Sequence, residues 1–209
     1  MKLTVFGASG RIGGHVVRQA LAGGHDVTAV VRDPSGFDVP GARVVTASFA
    51  DGHELVDAVA GRDAVISGVG PRRRRDAGVA TRVTTAIVEA MREGGATRIA
   101  VVSEAPVDPA SREDNLLTRK VAWPLLRWAM AGVYADLGAM ETLLRDSGLT
   151  WTSVRPPRLT DGPFTGQYRT RIGGSLPRGS VISRADVADA LLRAIEDNRE
   201  IDQIVGVAR

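Results

Sequence analysis

Cysteine is absent from this sequence of 209 residues. Its absence excludes disulfide bonds, thiolate metal sites and a catalytic cysteine, although it does not indicate a cellular compartment. The chain also lacks any run of about 18 apolar residues, the length that indicates a membrane-spanning helix. The first strand begins almost at the N-terminus, without the basic and then apolar pattern of a signal peptide. We therefore predict a soluble cytoplasmic protein with no membrane partner.

Lysine is almost absent as well, because only Lys2 and Lys120 occur among the 27 basic residues and the others are arginine. The formal net charge of +3 is too small to indicate nucleic-acid binding. Arginine instead suits small anionic ligands, since its planar guanidinium can form two parallel hydrogen bonds to a carboxylate or phosphate. The composition, 44% hydrophobic and 24% charged, fits one α/β domain over residues 1–209 with a small C-terminal extension on the substrate side.

A glycine-rich turn follows the first predicted strand, Lys2–Phe6, and opens a segment with helical periodicity. Such a turn directs backbone N–H groups and the helix dipole at a pyrophosphate. The spacing of Gly7, Gly10 and Gly13 predicts a Rossmann-like doubly wound parallel sheet and is typical of the short-chain branch of these folds. The alternative is a tight turn that binds nothing. The predicted cofactor contacts are Gly7, Ala8, Ser9, Gly10, Arg11, Ile12 and Gly13.

The second predicted strand, Asp26–Val31, ends in Arg32 and Asp33. In dinucleotide-binding folds an acidic residue at this position binds the ribose hydroxyls of NAD, whereas an arginine accommodates the 2′-phosphate of NADP. Arg11 could reach the same phosphate as Arg32, so the two arginines favour NADP(H). Because Asp33 is acidic, NAD(H) is not excluded as the cofactor. The alternative interpretation of Arg32 is a solvated charge at a strand end.

Two further strand ends carry candidate cofactor contacts. The fourth predicted strand is followed by Gly68, Val69 and Gly70, and the fifth, Arg98–Val102, is followed by Ser103. Ligands of open α/β sheets bind along the carboxyl edge of the strands. We predict that the first three residues line the cofactor and that Ser103 faces the nicotinamide. The alternative for Ser103 is a loop serine that caps the local backbone.

Four consecutive arginines at 72–75 precede a long predicted helix. Positive charges at a helix N-terminus are unfavourable unless an anion offsets them. The run is either a flexible, solvated segment or a lid over the cofactor phosphate or an acidic substrate.

The C-terminal half is predicted to contain a helical region over 111–147 that Pro124 interrupts. Trp128 and Met130 lie in its apolar stretch and are predicted to be packing residues. Segments 168–172 and 181–182 suggest a short hairpin.

The sixth predicted strand leads into Pro156 and Pro157, which form a stiff, extended wall. A last helix is predicted to be capped by Ser183–Asp186.

The catalytic pair of ordinary short-chain dehydrogenases is missing. These enzymes usually carry Tyr-x-x-x-Lys, in which the lysine lowers the tyrosine pKa. Tyr134 is followed four residues later by Gly138, and neither lysine has a tyrosine four residues before it. The three histidines form no metal-ligand spacing, so we predict no metal site.

Segments along nearly the whole chain resemble the atypical short-chain reductases of the biliverdin-IXβ reductase and flavin reductase group. The resembling segments are Gly7–Gly13, Val30–Asp33, Ser103, Arg155–Gly166 and Val181–Asp186. Other NAD(P)-binding relatives, including the NmrA-like regulators, share the first of these, whereas the last two are more specific. The resemblance implies NADPH binding and hydride transfer to flavins, linear tetrapyrroles or similar flat acceptors without a Tyr/Lys pair.

The same resemblance implies residue roles: the turn and Arg32 bind the cofactor phosphates and ribose, Gly68 lines the cofactor, and Ser103 lies beside the nicotinamide. It further implies that Pro156 and Pro157 wall the ring. This chain departs from the mammalian members at two positions: an arginine at 158 replaces a histidine, and a serine at 48 replaces an aspartate. The first departure favours an anionic acceptor, and the second weakens the expected contact to adenine.

We therefore predict an NADPH-dependent oxidoreductase whose catalytic residues are Ser103 and Arg158. Ser103 would hydrogen-bond the carboxamide or the acceptor, and Arg158 would hold an acceptor carboxylate or phosphate. The alternative is a non-enzymatic NADP(H)-binding redox sensor of the NmrA type, which the missing Tyr/Lys pair fits equally well. An isomerase or epimerase ranks last for want of an acid/base pair. We expect a flavin, tetrapyrrole or quinone-like acceptor as partner, no nucleic acid, and a monomer or weak homodimer.

Overall fold

The computed structural model describes residues 1–49, 51–71, 74–107 and 116–209. The arginine run 72–75 and the start of the predicted helical region 111–147 therefore lie partly outside the described residues. The described strands are β1 (Lys2–Phe6), β2 (Asp26–Val31), β3 (Arg43–Thr46), β4 (Ala64–Ser67), β5 (Arg98–Val102), β6 (Thr150–Arg155), β7 (Arg158–Thr160), β8 (Arg169–Ile172), β9 (Val181–Ser183) and β10 (Gln203–Ala208). The described α-helices are α1 (Arg11–Ala22), α2 (Val56–Val59), α3 (Val79–Gly94), α4 (Trp123–Ala129), α5 (Ala131–Arg145) and α6 (Arg184–Glu196).

Eight strands form one sheet in the order β3-β2-β1-β4-β5-β6-β10-β8. Every neighbouring pair is parallel except β10 and β8. The chain runs outward from β1 to β3 and then returns to β4 on the other side of β1, so the strand order reverses between β1 and β4. Open α/β sheets bind their ligands at such a point. This topology confirms the predicted Rossmann-like doubly wound fold.

Helices cover both faces of the sheet. Helices α1 and α6 pack on one face against Val5 and Ile66, whereas α3 and α5 pack on the other face against Phe6 and Val65. Neighbouring residues of a strand point to opposite faces. Because both faces are covered, the central strands are almost entirely apolar, as expected for a buried parallel sheet.

The predicted hairpin of 168–172 with 181–182 is wrong. Strand β8 pairs antiparallel with β10, and β9 pairs in parallel with β7. The chain after β8 runs against β10, where the Gly173 N–H donates to the Ile204 carbonyl at 2.8 Å. A Cβ at Gly206 would lie 2.4 Å from the backbone nitrogen of Leu176, so only glycine permits this crossing. The crossing joins distant segments and leaves no local sequence pattern.

Two expectations for the helical region also need correction. Pro124 lies in the first turn of α4, where its missing N–H has no intrahelical role, and it does not interrupt the helix. The break falls instead at Met130, between α4 and α5. Trp128 is not a packing residue, because it is 78% exposed, whereas Met130 packs against the buried core as predicted.

A buried ion pair joins α5 to β6. Glu141 and Arg155 are each 3% exposed, and Arg155 Nε donates to Glu141 Oε1 at 2.8 Å. Arg155 Nη2 donates to the second carboxylate oxygen, and Ser153 Oγ donates to Oε1 at 2.8 Å. Such partners make a buried carboxylate tolerable, since an isolated one is strongly penalised. The pair therefore attaches α5 to the end of β6, at the residue that precedes Pro156.

We predict that Glu141→Ala lowers the free energy of unfolding by about 3–5 kcal/mol, because the guanidinium of Arg155 stays buried without this carboxylate. Urea denaturation measures the loss. The matched control is Glu93→Ala, which removes a carboxylate that lies 2.9 Å from His53 Nδ1 at the surface. An exposed pair of this kind contributes about 0–1 kcal/mol. Equal losses in the two variants would show that the buried pair does not stabilise the fold.

Candidate functional site

The glycine turn leaves backbone groups open at the start of α1. Gly7 has a φ of +70°, in the left-handed region that favours glycine, and its carbonyl accepts the Gly10 N–H at 2.8 Å. Gly10 is the N-cap of α1, no side chain caps the helix, and its first turn holds no acidic residue. The N–H groups of this turn are therefore available to an anion, which the helix dipole also favours.

Close packing seats this turn on the end of β4. A Cβ at Gly13 would lie 2.2 Å from the Gly7 carbonyl oxygen, and a Cβ at Gly68 would lie 3.1 Å from the Gly13 nitrogen. A Cβ at Gly7 would lie 2.9 Å from Val69 Cγ2. The structure thus brings together predicted residues from two strand ends. At Gly70 a Cβ would meet nothing within 4 Å, so packing does not require glycine there.

The side chains of the turn divide between core and surface. Ala8 and Ile12 are buried in the core, so a ligand can reach only their backbone. Ser9 and Arg11 are exposed beside the open helix end. Side-chain contacts from this turn to a ligand can therefore come only from these two residues.

Arg32 and Asp33 are exposed at the carboxyl end of β2, the strand next to β1. Asp33 Oδ1 accepts the Ser35 N–H at 2.8 Å, and hydrogen bonds from Ser35 lower the pKa of Asp33. One carboxylate oxygen of Asp33 is thus used within its own turn. Arg32 is the cation that stands at this strand end.

Sequence reasoning missed an ion-pair cluster beside the turn. Asp161 Oδ1 lies 2.7 Å from Arg184 Nη1, and its Oδ2 lies 3.5 Å from Arg11 Nη1. The cluster links the end of β7 and the start of α6 to the glycine turn. Because 150 positions separate Arg11 from Asp161, no local pattern could have revealed it.

Ser103 holds a buried hydroxyl at the carboxyl end of β5. Ser103 is 2% exposed, and its Oγ has no hydrogen-bond partner among the described residues. Its N–H donates to the Val154 carbonyl at 2.8 Å, which ties it to β6. The hydroxyl does not cap the local backbone, contrary to the alternative for this residue. A buried hydroxyl without a partner is costly, so this atom fits a site for a polar ligand.

Tyr134 lacks the lysine partner of ordinary short-chain dehydrogenases, yet the structure buries it close to the carboxyl end of β5. It lies on α5, is 8% exposed, and is hydrogen-bonded to Glu104, the residue after Ser103. Burial, and next the charge of Glu104, raise the pKa of Tyr134 to about 12. Burial also raises the pKa of Glu104. Tyr134 is therefore a neutral phenol near pH 7, able to donate but not to act as a base.

The proline pair lies next to Ser103 across the sheet edge. Pro156 is buried, and its carbonyl accepts the Ala105 N–H at 2.9 Å. Pro157 is half-buried, whereas Arg158 is exposed at the start of β7. The structure therefore places the prolines in the wall beside Ser103 and Arg158 on the surface.

Together these residues follow one edge of the sheet, from β2 through β1, β4 and β5 to β6. The open helix end, the close glycine packing and the unpartnered Ser103 hydroxyl fit an extended dinucleotide. The residues that would hold it are those of the glycine turn, Arg32, the Gly68–Gly70 segment and Ser103. Within the described part of the chain, no group of three acidic or histidine side chains could hold a metal ion.

A separate cavity of about 500 Å³ lies at the opposite, amino edge of the sheet, where Arg145, Trp151 and Asp202 line it. It contains none of the candidate residues. The candidate residues that the sequence predicts lie at the carboxyl edge instead.

Comparison with known proteins identifies the family of this chain. The model of the NAD(P)H-binding family matches residues 7–198. An uncharacterised chloroplastic protein of Arabidopsis thaliana is 31% identical over 217 residues, which cover 99% of this chain and 76% of that protein. The bifunctional pinoresinol-lariciresinol reductase of Linum album is 26% identical over 229 residues, and the match covers 99% of this chain and 66% of that reductase.

A solved structure agrees with the fold. ChuY, an anaerobillin reductase from Escherichia coli O157:H7, has a TM-score of 0.78 and 21% identity to this chain, over 100% of this chain and 97% of ChuY. At this level of identity the likeness concerns the fold.

We predict that Gly13→Ala weakens NADPH binding at least about tenfold, a loss of ~1.4 kcal/mol, because the added methyl displaces the Gly7 carbonyl and the turn. Fluorescence titration with NADPH measures the affinity. Gly14→Ala is the matched control, since its Cβ would lie 3.4 Å from the Ala8 carbonyl oxygen, an ordinary contact. Alanine within the helix should stabilise it by about 0.5–1 kcal/mol and leave the affinity unchanged. Equal affinities in both variants would contradict this role of the turn.

Proposed function

The chain belongs to the NAD(P)H-binding family, and on this premise we propose that it is an NADPH-dependent reductase of a flat conjugated acceptor. The acceptor class is a flavin, a tetrapyrrole or a quinone-like compound. A reductase is among its relatives, and one protein of the same fold is named an anaerobillin reductase.

The observation that carries the proposal is the Ser103 hydroxyl. It is buried, it has no hydrogen-bond partner within the described residues, and it lies at the carboxyl edge between the Gly68 segment and the proline pair. A dinucleotide that starts at the glycine turn and continues along β4 would reach it. A nicotinamide carboxamide or an acceptor carbonyl would supply the missing hydrogen-bond partner.

The bound cofactor supplies a hydride, and the chain supplies binding and orientation. Backbone N–H groups of the glycine turn bind the pyrophosphate, and Arg32 with Arg11 binds the 2′-phosphate. Ser103 Oγ orients the reacting ring, and the prolines hold the acceptor against it, which favours reaction by proximity. Arg158 at the surface attracts an anionic group of the acceptor.

Reduction of the acceptor takes a hydride from the cofactor and a proton from solvent, so it requires no base. Tyr134, whose pKa is raised to about 12, keeps its proton near neutral pH and is hydrogen-bonded to Glu104. Hydride transfer to a conjugated acceptor therefore suits this site better than oxidation of an alcohol, which needs a proton acceptor.

We predict that Arg32→Glu weakens NADPH binding by about 1–3 kcal/mol and NADH binding much less, because a charge-assisted hydrogen bond to the 2′-phosphate is lost. Titration of both nucleotides gives the ratio. Arg43→Glu is the control, since Arg43 is exposed at the opposite end of the neighbouring strand β3. Equal weakening of both nucleotides in Arg32→Glu would contradict the 2′-phosphate contact.

We predict that the wild-type protein oxidises NADPH over many turnovers with at least one member of a panel of FMN, biliverdin and quinones. Ser103→Ala should lower kcat/KM by about 10- to 100-fold, as expected for a lost hydrogen bond of ~1.4–2.8 kcal/mol. Its free energy of unfolding should not fall, because the hydroxyl has no partner in the described structure.

Ser147→Ala is the control with the opposite expectation. Ser147 Oγ donates to the Leu144 carbonyl at 2.6 Å and accepts the Leu149 N–H at 3.1 Å, away from the carboxyl edge. This variant should lose stability and keep kcat/KM. NADPH binding by the wild-type protein without turnover on the whole panel would contradict the reductase and favour a redox sensor.

A further inference from the structure

The segment around α4 exposes an unusual amount of apolar surface. Helix α4 has no buried residue, and six of the ten exposed large hydrophobic side chains of the described chain lie between positions 116 and 128. We call these six the α4 apolar face: Leu116, Leu117, Val121, Leu125, Leu126 and Trp128. Trp128 is 78% exposed and Leu117 is 70% exposed. Positions 117, 121, 125 and 128 repeat at helical intervals and so share one side.

Polar contacts hold α4 on the protein. Arg127 Nη1 donates to the carbonyls of Pro106 and Val107, each at 2.8 Å. These carbonyls belong to the turn after β5, two and three residues beyond Glu104. The helix is thus fixed in place through a guanidinium, while its apolar side chains remain outside the core.

Two exposed basic side chains lie in the segment that carries the α4 apolar face. Arg119 and Lys120 are exposed next to it, and no aspartate or glutamate occurs between positions 116 and 135. Lys120 is one of the two lysines of the chain. Among the described residues of this segment, the face therefore combines leucine and tryptophan with two exposed cations.

We propose that the α4 apolar face docks on an anionic lipid surface. Helices that lie in a membrane interface combine a Leu- and Trp-rich side with Lys and Arg on the polar side. Tryptophan is enriched at the level of the lipid headgroups. Each basic side chain near an anionic surface contributes about 1 kcal/mol, or roughly fivefold in affinity. None of the described helices is long and apolar enough to cross a membrane, and surface docking does not require one.

Charge argues against a second copy of this chain as the occupant. In a twofold symmetric contact the same patch meets itself. Arg119 and Lys120 of both copies would then lie in one interface, with no carboxylate of the described residues 116–135 to compensate them, and like charges in an interface are unfavourable. Anionic lipid headgroups remove this repulsion.

The docking is independent of the proposed reaction, because it depends on α4 and not on the cofactor edge. Its consequence for the site is geometric: Arg127 joins α4 to the loop that follows Ser103 and Glu104. Docking would hold this loop close to the lipid headgroups.

The test is flotation of the full chain with phosphatidylcholine vesicles, with and without about one third phosphatidylglycerol. We expect binding to the anionic vesicles, at least about tenfold weaker binding to the neutral ones, and weakening between about 0.1 M and 0.5 M NaCl. The double variant L125S/W128S should lose binding at least about tenfold through lost apolar burial. The double variant R119Q/K120Q should lose roughly 25-fold for two charges.

Ile172→Ser is the matched control, because Ile172 is also an exposed apolar residue, at 44%, but lies on β8. It should bind like the wild type. Unfolding curves of all variants should coincide, since the substituted side chains are exposed. Absence of binding to anionic vesicles, or equal loss in Ile172→Ser, would overturn the proposal. The proposal would also be overturned, in favour of self-association, if sedimentation equilibrium showed the wild type as a dimer and L125S/W128S as a monomer.

Discussion

The contact between Gly13 and the Gly7 carbonyl is the constraint on which the rest of the candidate site depends. A Cβ at position 13 would lie 2.2 Å from that oxygen, so α1 can approach β1 only through bare backbone. The same approach seats the turn on Gly68 at the end of β4. Strands β1 and β4, in which Leu3 pairs with Ala64, are far apart in sequence, and the packed turn gives the edge between them a fixed shape. The open N–H groups of α1 then point outward from a rigid base.

The features that the sequence predicted are those encoded within a few residues. The glycine spacing, the apolar strands and the capping of α6 by Ser183, whose Oγ accepts the Asp186 N–H at 3.0 Å, are all local patterns. The polar contacts that shape the acceptor side are not local. Glu104 meets Tyr134 only because α5 packs on the turn that follows β5, and Asp161 meets Arg11 across most of the chain.

The errors have a common physical origin. Helical periodicity shows that Trp128 shares a side with other apolar residues, but it does not show whether that side meets the core. Strand propensity identified β8 and β9, but they pair with β10 and β7 rather than with each other. In both cases the local conformation was predicted and the packing partner was not, since the partner depends on tertiary structure.

The position of β8 has a consequence for the behaviour of the folded chain in solution. A parallel sheet that ended at β10 would offer a row of unpaired N–H and carbonyl groups to any other extended chain, which is a route to aggregation. Strand β8 covers that row, and it is short, fully exposed and carries Arg169 and Arg171. Charged side chains on a short edge strand discourage further strand addition. This antiparallel strand thus makes the edge of the sheet a poor template for strand addition.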